Sequence, residues 1–128
     1  MIKVNIEINN RSWYQKINNT KKYFNKKLKK ISQNIKFFNK KNFVFTILLT
    51  NSVTMKKLNK KFRKKNRPTD VLSFPFSSFH DLKSGKKKKA YLGDIAVSYE
   101  IINLRCKRNN FTTEFDKVWV HGLLHLVG

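Results

Sequence analysis

The chain has 128 residues, of which 29 are basic and 7 acidic, so its formal net charge at neutral pH is +22. Hydrophobic residues make up 40% of it, which is enough for a folded core and excludes a wholly disordered basic tail. A single cysteine excludes an intramolecular disulfide partner and a cysteine-based zinc finger, and the length predicts one domain over residues 1–128.

The positive charge has two explanations. Lysines account for 24 of the basic residues and arginines for only 5, and Asn, Ile and Phe are also abundant. An A+T-rich coding sequence produces this excess whatever the protein does. The charge is compatible with RNA binding and raises the rate of association with RNA, but does not by itself demonstrate it.

The N-terminal region predicts a strand followed by a helix. Apolar residues at every second position indicate a strand over Ile2–Ile8 with one buried face. Apolar residues at helical spacing indicate one Lys-rich amphipathic helix over about residues 13–38. This helix is either a scaffold helix with a solvated lysine face or a dedicated RNA-binding helix.

The middle of the chain predicts a central strand over residues 43–50 and a short helix. Asn51 or Ser52 caps this helix, which extends to about Phe62, and Pro68 excludes a helix at its own position. The longest apolar run is far shorter than the roughly 20 residues of a membrane span. No secretory signal is visible at the N-terminus, so we expect a cytoplasmic protein with no membrane partner.

Two strands and two helices are predicted in the C-terminal half. Residues 71–76 indicate a strand, and Pro75 places the end of it at a sheet edge or a bulge. Residues 77–90 contain a lysine run and indicate a flexible loop. Residues 91–98 indicate a further strand, and residues 99–108 a helix.

The last segment, residues 113–127, predicts a helix that opens with Thr113 and Asp116 at capping-box spacing. Short strands and helices in this mixed order predict an α+β fold. We expect a small mixed β-sheet of about four strands packed with helices.

The final helix carries the strongest chemical signal. It is apolar on almost every side, which predicts a buried helix, and His121 and His125 lie one turn apart on one face of it. Buried imidazoles need partners, which are either a shared Zn²⁺ or carbonyl and carboxylate groups. Gly122 stands where a HExxH metalloprotease has its general base, which disfavours peptide hydrolysis by that mechanism.

Three blocks resemble the YbeY family of bacterial endoribonucleases. The first is HGLLHLVG over residues 121–128, similar to the start of the family's HGxLHLxGYDH signature. The others are RPTDVLSFPF over residues 67–76 and LGDIAV over residues 92–97. They occur in family order, and the basic stretch around Arg63 matches the position of a family arginine near the catalytic pocket. The N-terminal half matches only in its pattern of elements.

The resemblance implies a zinc ion held by three histidines. His121 and His125 match two of these ligands, and the third lies three residues after the glycine that matches Gly128, with which the sequence ends. We therefore expect a C-terminally truncated member that retains one Zn²⁺ poorly and has little or no nuclease activity. His80 is interpreted as an exposed loop histidine rather than a substitute ligand.

The resemblance also suggests roles for residues around the metal. Arg63 is the candidate for binding the scissile phosphate, since arginine suits phosphate and stabilises developing charge. Asp70 and Asp94 each either orient an imidazole N–H or serve as a strand-end cap or the salt-bridge partner of a neighbouring lysine. The candidate RNA-binding residues are Lys60, Lys61, Lys64, Lys65 and Arg67.

The function that the resemblance implies is a single-strand-specific, metal-dependent endoribonuclease in 16S ribosomal RNA maturation and ribosome quality control. Its partners are then ribosomal RNA and the small ribosomal subunit. The main alternative is a basic RNA-binding module without catalytic activity, in which the histidine pair is structural. A third interpretation is a metal-dependent hydrolase of another substrate, since fold does not determine function.

Overall fold

The structure is a computed structural model that describes residues 1–76, 89–106 and 110–128. The elements in those ranges are β1 (Ile2–Ile8), α1 (Ser12–Lys16), α2 (Thr20–Asn34), a 3-10 helix (Lys36–Asn39), β2 (Asn42–Thr50), α3 (Ser52–Arg63), β3 (Val71–Pro75), β4 (Lys89–Ser98), α4 (Tyr99–Arg105) and α5 (Phe111–Leu126). None of the helices in these three ranges has the length and apolar character of a membrane span.

The four strands form one mixed sheet in the order β1-β2-β4-β3. The strands β1, β2 and β4 are parallel, and β3 runs antiparallel to β4 at the edge of the sheet. The predicted α+β fold with a small mixed sheet is confirmed. Pro75 ends the edge strand, where its missing N–H costs no ladder hydrogen bond.

The two faces of the sheet have different partners. Residues at alternate positions of β2, among them Phe45 and Ile47, are fully buried in a core shared with α1, α2 and α5. Trp13 of α1 lies in this core, and its indole N–H donates to the Thr50 carbonyl at 2.9 Å. The other face packs on α3 through a smaller cluster around Met55. The histidine-bearing helix and α3 therefore lie on opposite faces.

The single long helix predicted for residues 13–38 is wrong. The chain forms α1, α2 and a 3-10 helix instead, because Ile17 is buried in an extended conformation between α1 and α2. Asn19 then begins α2, since its side-chain oxygen accepts the Lys22 N–H at 3.0 Å. A polar capping residue within an otherwise periodic pattern marks the break.

Helix starts agree with the sequence at α3 and differ at α5. Asn51 caps α3 as expected, accepting the Thr54 N–H at 2.8 Å. The cap of α5 is Asn110, whose side-chain oxygen accepts the Thr113 N–H at 2.8 Å. Thr113 thus lies inside the helix, and the capping box predicted for Thr113 and Asp116 is wrong.

Two further boundaries differ from expectation. The strand predicted for residues 91–98 begins at Lys89, so the last two residues of the predicted loop belong to β4. The remainder of that loop, residues 77–88, lies outside the described residues. The helix predicted to reach residue 108 ends at Arg105, and residues 107–109 also lie outside the described ranges.

A bulge in β4 depends on Gly93. The pairing with β2 shifts there, because Val44 pairs with Tyr91 and Phe45 pairs with Gly93. Gly93 has a φ of +137°, which L side chains rarely adopt, and a Cβ atom on it would lie 2.3 Å from the Phe74 carbonyl oxygen. The edge strand β3 can pair closely with β4 only because this position lacks a side chain.

Replacing Gly93 with alanine is expected to lower the free energy of unfolding by about 3 kcal/mol, since backbone strain adds to a backbone clash. Urea denaturation followed by circular dichroism measures the loss. A loss below about 0.5 kcal/mol, the range of ordinary surface substitutions, contradicts the argument.

Candidate functional site

The last helix lies close to strand β3, and a glycine makes the approach possible. A Cβ atom on Gly122 would lie 3.1 Å from the Ser73 hydroxyl oxygen and 3.1 Å from a methyl carbon of Ile95. The Ser73 hydroxyl donates to the Gly122 carbonyl oxygen across this contact, at 3.1 Å. The glycine after His121 therefore sets the distance between α5 and the edge of the sheet.

A carboxylate ties the same helix to α2. Asp116 accepts hydrogen bonds from the Tyr23 hydroxyl and, at 2.9 Å, from the Trp119 indole N–H, and it lies 2.9 Å from the Lys27 ammonium. Burial, together with the hydrogen bond to Asp116, raises the pKa of Tyr23 well above its ordinary value. The phenol stays neutral and remains a donor, which fixes the position of α5.

Only one face of α5 is buried, which corrects the expectation of a helix enclosed on almost every side. Phe115 and Trp119 are fully buried, whereas Leu124 is 46% exposed. His121 and His125 are exposed beside it. Burial therefore does not oblige either imidazole to find a ligand, and the case for a metal rests on their mutual geometry.

The two histidines direct their Nε2 atoms at one another. These nitrogens are 2.9 Å apart, the distance of a hydrogen bond in which one imidazole N–H donates to the other ring. Two nitrogens that bind one tetrahedral zinc ion at ~2.0–2.1 Å lie about 3.4 Å apart, so a shift of about half an ångström converts one arrangement into the other. The pair fits two positions of a zinc site.

The histidine pair borders a cleft of about 860 Å³ beside the open edge of β3. The end of α3, the segment after it and the end of α4 contribute the remaining walls. Three of the five arginines of the chain lie in this lining. The charged and polar lining residues are Asn59, Arg63, Lys65, Arg67, Thr69, Asp70, Ser73, Arg105, His121 and His125.

Arg63 is held by the edge strand. Its guanidinium donates to the Ser73 carbonyl oxygen at 2.8 Å and lies 5.8 Å from the Phe74 ring centre. In an antiparallel pair, the backbone groups of every second residue point to the partner strand. The Asp70 carbonyl points to β4, since it accepts the Ser98 N–H, so the Ser73 carbonyl, three residues later, points to the open edge. The anchor leaves other guanidinium N–H groups free to bind a ligand.

The predicted RNA-binding residues divide into two groups. Lys65 and Arg67 line the cleft, and the buried side chain of Asn59 holds this segment by donating to the Arg67 carbonyl at 2.9 Å. Three others, Lys60, Lys61 and Lys64, are exposed but do not line it. The structure therefore brings only part of the basic stretch to the histidines.

Asp70 lies in the cleft, and both of its carboxylate oxygens accept hydrogen bonds. One carboxylate oxygen accepts the Val71 N–H at 2.8 Å, and the other accepts from the Arg105 guanidinium at 2.5 Å. These contacts match the cap and salt-bridge alternative, although the predicted salt-bridge partner was a lysine. A role of Asp70 in orienting an imidazole stays a prediction.

Asp94 lies outside the cleft, so the structure does not bring it to the imidazoles that one of its two predicted roles requires. It precedes Ile95, which contacts α5, and therefore projects from the opposite face of the sheet. It accepts a hydrogen bond from Tyr91 in a separate groove beside α3. Burial, followed by this hydrogen bond, raises the pKa of the Tyr91 phenol, which therefore stays a donor to Asp94.

The described residues supply two imidazoles and no third ligand. No group of three or more His, Cys, Asp or Glu side chains within those residues is arranged to hold a metal ion. His80, interpreted as an exposed loop histidine, lies outside the described residues. A complete three-histidine site would need a donor beyond those that the structure describes.

Two site residues were missed by the sequence analysis. Gly122 was interpreted only as the absence of a catalytic glutamate. Its packing role could have been predicted, because a single small residue among large ones in a helix allows another element to approach closely. Arg105 was not singled out at all. The chain has only five arginines against 24 lysines, and this rarity was the available signal that Arg105 has a specific role.

Comparisons with known proteins match most of the chain to one family. The family model described as "Endoribonuclease YbeY" matches residues 7–128. The endoribonuclease YbeY of Pelagibacter ubique is 46% identical over 132 residues, covering 100% of this chain and 82% of that protein. The endoribonuclease YbeY of Ehrlichia chaffeensis is 33% identical over 129 residues, covering 99% of this chain and 77% of that protein.

A solved structure shares the fold. The solution structure of TM1509 from Thermotoga maritima matches with a TM-score of 0.61 and 27% sequence identity. The match covers 100% of this chain and 73% of that one.

Replacing Gly122 with valine is expected to lower the free energy of unfolding by about 2 kcal/mol or more, because the new methyl groups push α5 away from β3. Leu124→Val introduces the same branched side chain on the exposed face and is expected to cost less than about 1 kcal/mol. Equal urea midpoints for the two variants would show that the close approach at Gly122 is dispensable.

Proposed function

The chain belongs to the endoribonuclease YbeY family, and we propose that it hydrolyses phosphodiester bonds of single-stranded RNA bound in the cleft beside β3. The observation that carries the proposal is the convergence of two Nε2 atoms 2.9 Å apart on a cleft lined by three arginines. Imidazoles suit a catalytic metal and guanidiniums suit phosphate, so the two halves of the required chemistry lie together.

His121 and His125 are proposed to hold one zinc ion, with a third imidazole three residues after Gly128 as the family resemblance implies. When bound, zinc lowers the pKa of a coordinated water toward ~7 and so supplies the nucleophile. The chain printed here contributes two imidazoles among its described residues, and we propose that two alone retain the metal weakly.

Arg63 is proposed to bind the phosphate that is cleaved. Its anchor on the Ser73 carbonyl holds the guanidinium in place before substrate arrives. Preorganised donors stabilise the charge that develops on phosphate oxygens without reorganising during the reaction. Lys65 and Arg67 add positive charge along the same wall, which favours a polyanionic substrate over a neutral one.

The finer assignment concerns the biological substrate. We propose ribosomal RNA of the small subunit, in 16S maturation and ribosome quality control in the cytoplasm, as the resemblance to the family implies. The net charge of +22 supports an RNA partner, since it accelerates association with a polyanion. A basic RNA-binding module without catalytic activity is the alternative that two imidazoles without a third ligand among the described residues favour.

A chain extended after Gly128 by Tyr-Asp-His is expected to bind zinc at least about 100-fold more tightly than the printed chain, because it supplies a third imidazole. His121→Ala in the extended chain should remove the gain, and Leu124→Ala, an exposed neighbour on the same helix, should keep it. Competition against a zinc indicator measures all four affinities.

The same proteins separate the two functions. Loss of RNA cleavage in His121→Ala, with RNA affinity unchanged, supports the nuclease. An extended chain that binds RNA but neither retains zinc nor cleaves supports the non-catalytic module.

Arg63→Ala is expected to lower the rate of RNA cleavage by the extended chain about 100-fold, because it removes a preorganised donor to the phosphate. Arg63→Lys should recover only part of the rate, since lysine lacks the planar fork. Lys61→Ala, a nearby cation outside the cleft, is the matched control and should change the rate less than about threefold. Equal rates for Arg63→Ala and Lys61→Ala would contradict the role of Arg63.

A further inference from the structure

Within the part of the chain that the structure describes, the arginines are concentrated where the lysines are not. Three of the four described arginines, Arg63, Arg67 and Arg105, line the cleft, whereas Lys65 is the only one of the 19 described lysines in its lining. A coding bias toward lysine does not explain this separation. Arginine differs from lysine in its planar fork of donors, which matches phosphate oxygens two at a time.

Arg105 is held as firmly as Arg63 but from another element. It is the last residue of α4, and its Nη1 donates to an Asp70 carboxylate oxygen at 2.5 Å. Asp70 is itself fixed, because its other oxygen accepts the Val71 N–H at 2.8 Å and its carbonyl accepts the Ser98 N–H at 2.9 Å. The guanidinium is thereby oriented by a residue that is hydrogen-bonded to both β3 and β4.

The ion pair with Asp70 occupies only part of the Arg105 guanidinium. The side chain remains 52% exposed, and one of its guanidinium nitrogens makes the contact with Asp70. Guanidinium has five N–H donors, so the others are available to a ligand in the cleft. An exposed pair of this kind contributes little to stability, and its main consequence is orientation.

The two arginines are anchored at separate points along the cleft. Their anchors, Asp70 and Ser73, are three residues apart along an extended segment, which corresponds to roughly 10 Å. An RNA strand that passes the histidines offers a phosphate at each nucleotide. We propose that Arg105 binds a second backbone phosphate of the strand whose scissile phosphate Arg63 binds, and so selects a polynucleotide over a dinucleotide.

This inference rests on the proposed function and adds a subsite to it. The probe is a labelled single-stranded RNA of ten nucleotides, bound to the metal-free full chain and followed by fluorescence anisotropy at several salt concentrations. Arg105→Ala is expected to raise the Kd about fivefold and to reduce the slope of log K against log salt by about 0.7, the value for one phosphate contact on a single strand. Competition by a dinucleotide with one phosphodiester should stay unchanged in Arg105→Ala and weaken in Arg63→Ala.

Two further variants separate phosphate binding from a structural role. Arg11→Ala removes an exposed arginine outside the cleft and should leave the slope unchanged. Asp70→Asn keeps an oxygen acceptor for the Val71 N–H but breaks the ion pair that orients Arg105. It should raise the Kd less than Arg105→Ala does and retain the slope, because the charge of Arg105 is still present. Thermal unfolding of each variant confirms that it is folded.

The outcomes are distinct. The subsite is overturned if Arg105→Ala has the same slope as Arg11→Ala, or if Asp70→Asn reduces the slope as much as Arg105→Ala does. The ion pair between Arg105 and Asp70 then has only a structural role. A wild-type chain that does not bind the RNA overturns the subsite together with the proposed function. A reduced slope in Arg105→Ala alone supports the subsite.

Discussion

The close approach of α5 to strand β3 at Gly122 is the contact on which the site depends. The apolar face of α5 fills the core with Phe115 and Trp119, which fixes the rotation of the helix and leaves His121 and His125 facing the cleft. A larger residue at Gly122 would separate these imidazoles from the strand that holds the arginines. Packing in the core and chemistry at the surface are thus set by one helix.

The edge strand acts as the second half of the scaffold. Because β3 has a partner on one side only, the Ser73 carbonyl is free to hold Arg63. Asp70, just before the strand, holds Arg105 through its side-chain carboxylate. Groups that would be a liability at an exposed sheet edge are used here to position cationic side chains.

The sequence predicted elements correctly where a local physical effect, such as burial or capping, determines the structure. Alternating apolar residues in β1 and the apolar run of β2 located strands, and Asn51 located a helix start, because burial and capping are local effects. Continuity of the first helix was misjudged, since Asn19 is polar in a region that is polar throughout. The position of Asp94 depends on which face of β4 it occupies, and sequence alone does not orient a strand relative to α5.

The strand order of the sheet has a consequence for when the cleft forms. Strand β4 is inserted between β2 and β3, so it pairs with a strand that precedes it by some 47 positions, as Asn42 and Lys89 show. Closing so long a loop costs entropy before the pairing compensates. During synthesis β1, β2 and the first helices emerge without the strand that completes their sheet. The cleft is therefore assembled last, when the C-terminal helix docks, and a chain interrupted before α5 presents neither the complete core nor the site.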